Sequence, residues 1–529
     1  MRIKQLLMLI LMVGVAFSLS AQDASFYKKY ADKGDKEAMY NLAFCYVNGN
    51  GGVPQDYNQA TYWFTKAAKK NYAPAQVSLA YCYLYGTGVM KDFKMAYELA
   101  LKASKQKNAG ADYLLAQMYK DGIYVRQSNS LYLQYLRTAA ELGDDDAQTA
   151  LGKLYLYGDN NLGISQNERT AVSYLQKAAA QDNGDALLQL GFCYKEGTGG
   201  LPKDIKKAFE YTYQSAQTGF ANGIFETGLD YIYGIGTDVN YTEAARYISA
   251  AAQREVPNAY KLMGDIYYYG LGVDANDADA AQWYQKAVDA GYGNAYSQLA
   301  WMYLVGRGVA ENESKGYQLY KQAADAGYTE GYAGLGMCYE NGAGVTKNMY
   351  TATTNYKKAA EGGNNYSQYR LYQIYKEGDG VSKNTQEALQ YLRMAADDNY
   401  PDALWSLGVE YMVGEILHEQ KSTAMEYMIK AADNGSPFAC GILGTVYYSG
   451  EDPFPKDYDK AFKYLSEAVK DMSTMSPELQ AEVYKDLGAC YRFGRGTNVD
   501  HGLASYFTEK AAELGDNGSF DAVKMLRNN

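Results

Sequence analysis

Apolar and small residues along this chain fall on helical faces that alternate between two kinds, and the alternation returns about every 36 residues. In Ala295-x-x-x-Leu299-Ala300-x-x-Tyr303 the apolar or small positions share one face of a helix. We call the helix this predicts helix A. The small residue after the leucine position (Ala43, Ala80, Gly152, Gly191, Gly264, Gly336, Gly408, Gly444, Gly488) offers no side chain worth packing, so a second helix is expected to come close there. Three residues after the tyrosine a glycine ends helix A, because a left-handed C-terminal residue costs glycine little. A polar residue such as Asp56, Asp92, Asp204, Asn348, Asn384 or Asp457 then caps helix B. Helix B carries a mid-helix aromatic (Trp63, Tyr211, Tyr247, Tyr284, Tyr320, Tyr356, Tyr391, Tyr427, Tyr464) and closes on an alanine pair such as Ala67-Ala68 or Ala323-Ala324.

The motif Tyr-x-x-Gly, usually continued as x-Gly, occurs thirteen times between Tyr46 and Tyr491, at steps of 36 to 39 residues and a last step of 44. Such a period means stacked two-helix units, each too small to bury its own apolar face, that share a core with their neighbours. The sequence therefore predicts an all-α solenoid of about thirteen two-helix repeats over roughly residues 34–515, with a capping helix at 23–33 and a C-terminal cap within 516–529. The extra residues between Asp471 and Pro477 make the one irregular connection, a candidate hinge or special loop.

The pattern Ala-x-x-x-Leu-Gly-x-x-Tyr-x-x-Gly-x-Gly-Val, followed by a capped helix and Lys-Ala-Ala, resembles the Sel-1-like repeat family over nearly the whole chain after its first residues. The tetratricopeptide repeat has the same two-helix plan but lacks the glycine pair. Gly86/Gly88, Gly270/Gly272, Gly306/Gly308, Gly342/Gly344, Gly378/Gly380 and Gly494/Gly496 decide between them. The resemblance implies a right-handed α/α superhelix that serves as a scaffold for other proteins, often at a membrane or in an envelope. The third, fourth, eleventh and twelfth copies lack the second glycine, so their loops are expected to differ.

Residues 1–21 read as an export signal: Arg2 and Lys4 supply the positive start, Leu6 to Leu19 the apolar stretch, and Ser20-Ala21 the small residues for cleavage. No later stretch is long enough for a membrane span. The expected location is periplasmic or secreted, with a Gram-negative periplasm ahead of a eukaryotic secretory route. Loss of Arg2 and Lys4 takes the formal charge from -11 to -13, which disfavours a nucleic-acid partner.

Little in the sequence points to catalysis. Cys45, Cys82, Cys193, Cys338 and Cys490 occupy one equivalent site, directly before a motif tyrosine. Equivalent sites of neighbouring repeats are separated by about 10 Å, beyond disulfide reach, so buried free thiols are expected. His418 and His501 have no metal-ligand spacing. Ser25-x-x-Lys28 and Ser104-x-x-Lys107 match a serine–lysine signature, and some cysteine-rich members of the resembling family are linked with β-lactamase-like activity. This chain lacks both Lys-Thr-Gly and those members' paired cysteines. Asp144-Asp145-Asp146 stands at a helix start, where acids suit the helix dipole. A non-enzymatic protein without cofactor or metal is the expectation.

Tyrosine is the informative residue, 56 of 529. On helix A, the positions two before and two after the motif tyrosine lie about 200° around the helix from it. The first holds Phe44, Tyr81, Phe192 and Trp301; the second holds Tyr85, Tyr157, Tyr233 and Tyr269. Either these aromatics pack sideways against the next helix A, or they line a concave surface that binds a protein or peptide. Their flat rings suit an envelope glycan as a second class of partner.

Overall fold

The computed structural model describes residues 23–515 apart from Glu415 and Asp452. The expected export signal and the C-terminal cap lie outside the described residues. Within them the chain forms 27 α-helices and no strand, joined by short turns. Two compact units, divided after Ala275, are each a stack of alternating helices A and B. The division falls inside the seventh repeat, between Pro257–Tyr269 and Asp277–Asp289.

Each helix A ends where its glycine stands, and Gly49, Gly86, Gly234, Gly270, Gly306 and Gly414 adopt left-handed backbone there. Within a repeat, the chain is turned back by one recurring hydrogen bond. The cap residue of helix B donates its N–H to the carbonyl of the motif tyrosine, as Asp56 does to Tyr46 (2.9 Å) and Asn348 to Tyr339 (2.8 Å). The cap's own side chain then accepts from the first turn of helix B, Asp92 from Met95 and Asn348 from Thr351, both at 2.9 Å. Gln420 is the exception and makes no side-chain cap bond.

The second glycine of the motif has a steric reason. A Cβ on Gly88, Gly272 or Gly308 would lie 2.1 to 2.2 Å from the backbone of Tyr57, Tyr241 or Asp277, at the first residue of the preceding helix B. The motif is thus where one repeat seats on the last. Of the copies without this glycine, the third keeps the turn by holding Tyr124 at φ 63°, and the fourth replaces it with a short 3-10 turn closed by an Asp159–Ile164 bridge.

The core lies between paired helices. Leu42, Leu115, Leu151, Leu299 and Leu443 are buried at the leucine position, each contributing about 1.5–3 kcal/mol of transfer free energy. The small residue behind it meets helix B as expected: a Cβ on Gly152 would approach Leu175 to 2.8 Å, and one on Gly336 would approach Tyr356 to 2.5 Å. The mid-helix aromatics of helix B divide into two registers. Tyr211, Tyr247, Tyr391, Tyr427 and Tyr464 lie nearly parallel to the motif tyrosine of their repeat at 5.3 to 6.1 Å. Tyr284, Tyr320 and Tyr356 stand one residue later in their helices and are buried.

Helix Ala24–Ala31 covers the first repeat, with Tyr27 and Ala31 buried against it. The extra residues of the last repeat have two destinations. Its helix A, Pro477–Phe493, has 17 residues where the others have 13, and the connection before it is held by Gln480, which donates to the carbonyls of Met472 (3.0 Å) and Met475 (2.9 Å).

Candidate functional site

The eight aromatics of the helix A stripe do not share one environment. Phe44 is 9% and Tyr81 3% exposed, and Phe192 is half-buried. Phe44 packs edge-on against Phe64 of helix B at 5.3 Å. Burial, then the nearby charge of Asp144, holds the Tyr81 phenol well above its ordinary range. Phe44 and Tyr81 are therefore core residues and not surface anchors, which corrects the expectation for these two. They stand one turn before the ends of their helices. Trp301, at the same position in the second unit, is 44% exposed.

The later position is the last helical residue before the motif glycine. Tyr157, Tyr233 and Tyr269 are 65%, 66% and 67% exposed, and Tyr85, stacked on Tyr81, is 38% exposed. All four belong to the first unit. Tyr157 donates its hydroxyl to Gln189 of the next helix A at 2.9 Å, and Tyr269 meets Tyr268 edge-on at 4.9 Å.

Acids gather at the opposite, N-terminal ends of the first unit's helices A. Asp144 caps helix Asp145–Tyr157 by accepting from the Ala147 N–H at 2.8 Å. Burial pushes its carboxyl up to about 7 against that hydrogen bond, and burial with the charge of Asp145 pushes Asp146 up to about 6. Asn183 donates to Asp145 at 2.9 Å and to Asp146 at 3.0 Å, and Lys153 pairs with Asp185 at 2.9 Å. The triple aspartate is thus a cap and a hydrogen-bonded junction between consecutive helices A. Among the described residues no cluster of histidine, cysteine and acid is arranged to hold a metal ion.

The other sequence candidates take structural places. All six cysteines are buried and free, and burial raises the thiols of Cys82, Cys193 and Cys440 to about 11. In the serine–lysine motifs, Ser104 donates to Asp112 at 2.5 Å, and Lys28 pairs with Asp32 at 2.6 Å. His418 and His501 are exposed. No described helix is long and apolar enough to cross a membrane.

One constellation went unseen in the sequence: a cavity of about 340 Å³ in the second unit, lined among others by Tyr448, Tyr458, Glu482, Asp486 and Arg495. Its only sequence signal is the 44-residue step, which falls between Tyr447 and Tyr491.

Comparison with known proteins gives a consistent picture. The family model described as Sel1 repeat matches thirteen times, in segments from 36–72 to 481–516. Chitin synthase regulator SKT5 of Saccharomyces cerevisiae is 29% identical over 43% of this chain and 34% of its own length. Chitin synthase regulatory factor 3 of Schizosaccharomyces pombe is 27% identical over 46% of this chain and 26% of its own. The match thus spans about a quarter to a third of these fungal proteins. Sel1-repeat-containing protein YjcO of Escherichia coli is 28% identical over 41% of this chain and 94% of its own. Among solved structures, c5321, a protective antigen of uropathogenic Escherichia coli with an SLR fold, aligns with a TM-score of 0.59 at 24% identity, over 94% of this chain and 99% of that one. That likeness concerns the fold alone.

Proposed function

This chain belongs to the Sel1 repeat family, and we propose that it is an exported, non-enzymatic scaffold whose first unit binds a protein or peptide along its helix A ends. Sel1 repeats generally mediate protein interaction. The observation that carries the proposal is the recurrence of Tyr157, Tyr233 and Tyr269 at one structural position, each about two-thirds exposed. Tyr157 bonds Gln189 and Tyr269 meets Tyr268, but rings two-thirds in water add little to the fold, whereas exposed tyrosine is a common anchor of protein interfaces. Acids at the other ends of these helices favour a partner segment with basic side chains, which the tyrosine faces also attract. The fungal relatives named as regulators fit repeats that contact another protein in place of doing chemistry themselves. Residues 1–21 support export, to the periplasm in a Gram-negative host.

The test begins with a partner captured in the native host and identified by mass spectrometry. Replacing Tyr157, Tyr233 and Tyr269 by alanine, singly and together, is expected to weaken that complex, by about 2 kcal/mol for a tyrosine at its centre, and to leave the melting temperature unchanged. Undiminished binding by the triple variant would refute the assignment. Cell fractionation and N-terminal sequencing check export: a mature chain that starts near Gln22 outside the cytoplasm is expected.

A further inference from the structure

The last two repeats of the second unit line a half-open cavity of about 340 Å³. Its walls come from the end of helix Pro437–Ser449, the start of helix Tyr458–Ala468 and the middle of helix Pro477–Phe493. Asp486 lines it and is 5% exposed, yet among the described residues its carboxyl takes part in no hydrogen bond and no ion pair. The charges of Lys485 and Arg495 act on it from the same lining, but the hydrogen-bonding groups of both are directed to other residues. Lys485 pairs with Glu482 at 2.5 Å. Arg495 donates to the Tyr448 hydroxyl and stacks over the rings of Tyr448 (5.3 Å), Tyr458 (4.8 Å) and Phe493 (4.9 Å).

A buried carboxyl left without a partner destabilises the protein that carries it, and native proteins keep such groups chiefly where a ligand or a reaction uses them. Burial, and then the charge of Glu482, holds this carboxyl well above the usual carboxylate range. The rest of the lining narrows the ligand. Lys456, Lys485 and Arg495 stand among Glu451, Glu482 and Asp486, so the lining carries both signs and neither dominates it. A hydroxyl satisfies a carboxyl in either protonation state, since it both donates and accepts, whereas an ammonium only donates. Tyr448 and Tyr458, with ring centroids 5.4 Å apart, give an aromatic wall for the C–H face of a ring, and the volume suits one small polar molecule.

We propose that this cavity is a binding site for a small neutral polyhydroxylated ligand, a mono- or disaccharide unit, with one ligand hydroxyl on Asp486 and a ring face against Tyr458. The site is separate from the tyrosine row of the first unit and stands or falls without it.

The full chain, fluorescently labelled, is applied to an array of neutral mono- and oligosaccharides, and the best sugar is then titrated by calorimetry, with lysine amide and inorganic phosphate as charged comparisons. Saturable binding of a neutral sugar is expected, weakened tenfold or more by Asp486→Leu and by Tyr458→Ala. Asp486→Leu should at the same time raise the melting temperature of the free protein, because it removes the unpartnered carboxyl from the cavity wall. Asp486→Asn serves as the second variant, near in shape to the original and expected to weaken binding by less. An array without Asp486-dependent signal, preference for lysine amide or phosphate over every sugar, or a lowered melting temperature in both Asp486 variants would overturn the proposal.

Discussion

Helix Pro257–Tyr269 in the first unit and helix Pro477–Phe493 in the second occupy the same place in their repeats, and each ends in an exposed aromatic before a left-handed glycine. The first has the standard 13 residues; the second has 17 and borders a cavity with a buried, unpartnered acid. The difference sets apart two kinds of place where a repeat protein can vary. Where the period holds, the backbone is dictated by small residues and glycines, and only positions that the core leaves free can vary. Tyr269 stands at one of these. Where the period breaks, the backbone itself departs from its neighbours and makes room between helices.

The sharpest way to break this comparison is to exchange the roles of core and free positions. Tyr81→Ala removes a buried ring from the first unit and is expected to cost about 3 to 5 kcal/mol in urea denaturation. Tyr233→Ala, at the free position, is expected to cost less than about 0.5 kcal/mol. Equal losses would mean that the axial distinction between the two positions has no energetic content.

A smaller effect tests whether the period is set by the second glycine. Gly272, at φ 72°, has the backbone of Tyr241 2.2 Å from where a Cβ would stand. Gly163, in the divergent fourth loop, has φ 66° and nothing within 4 Å. Alanine at Gly163 meets only the left-handed penalty, about 1 kcal/mol, whereas at Gly272 it must also displace the preceding helix, for about 3 kcal/mol in all. Thermal melts of the two variants measure the difference directly.

These positions also show what was legible in the sequence. Helix boundaries, the capping residues of helix B, the capping helix before the first repeat and the burial of the cysteines follow from local rules that act within a few residues, and the structure has them in place. The stripe was legible only in part, because a helical wheel gives the angle of a side chain and not what stands against it. Phe44 and Tyr81 share an azimuth with Tyr157 and Tyr233 but stand four residues earlier and are buried, whereas Trp301 at that same height is exposed because its neighbours along the stack differ from theirs. The two registers of helix B aromatics were hidden for a related reason. A shift of one residue turns a side chain by about 100°, enough to move Tyr284 or Tyr356 from the ring stack into the slot opposite a small residue. Asp486 gave no signal at all, since nothing in its neighbours along the chain says that it would be buried without a partner.

Capping fails at one helix B, in the eleventh repeat, just ahead of the irregular end of the second unit. Gln420 starts helix Lys421–Asp433 with no side-chain cap bond, while the equivalent Asn240 accepts from Glu243 at 3.1 Å and Asn384 from Glu387 at 3.2 Å. Gln420→Asp restores an acceptor of the right length and is expected to stabilise the second unit by about 1 kcal/mol. Asn240→Gln in the first unit should lose a similar amount. If Gln420→Asp leaves the urea midpoint unchanged, the weak cap is not what distinguishes these repeats.

The smallest expected effect contrasts Asp144 with Asp486, two acids whose carboxyls are both raised by burial. Asp144 accepts from the Ala147 N–H, so it has a structural partner that Asp486 lacks. Its folded value of about 7 stands above the ordinary 3.8, which means that the folded state binds this proton more tightly than the unfolded chain. The stability it contributes is fully present below pH 3.8 and is lost as the pH rises through about 7. An asparagine at this position would keep the cap acceptor and carry no charge at any pH, since asparagine caps as well as aspartate. Asp144→Asn should therefore melt with wild type at pH 4 and above it at pH 8, by about 1 kcal/mol after allowance for its partial exposure. Because Asp144 directly precedes Asp145 and Asp146, part of the gain comes from relieved repulsion, and it too vanishes at low pH. Thermal melts of both proteins at pH 4, 6 and 8 decide the matter: a gap that opens with pH supports a buried acid tolerated for its cap, and a gap independent of pH would assign the effect to packing.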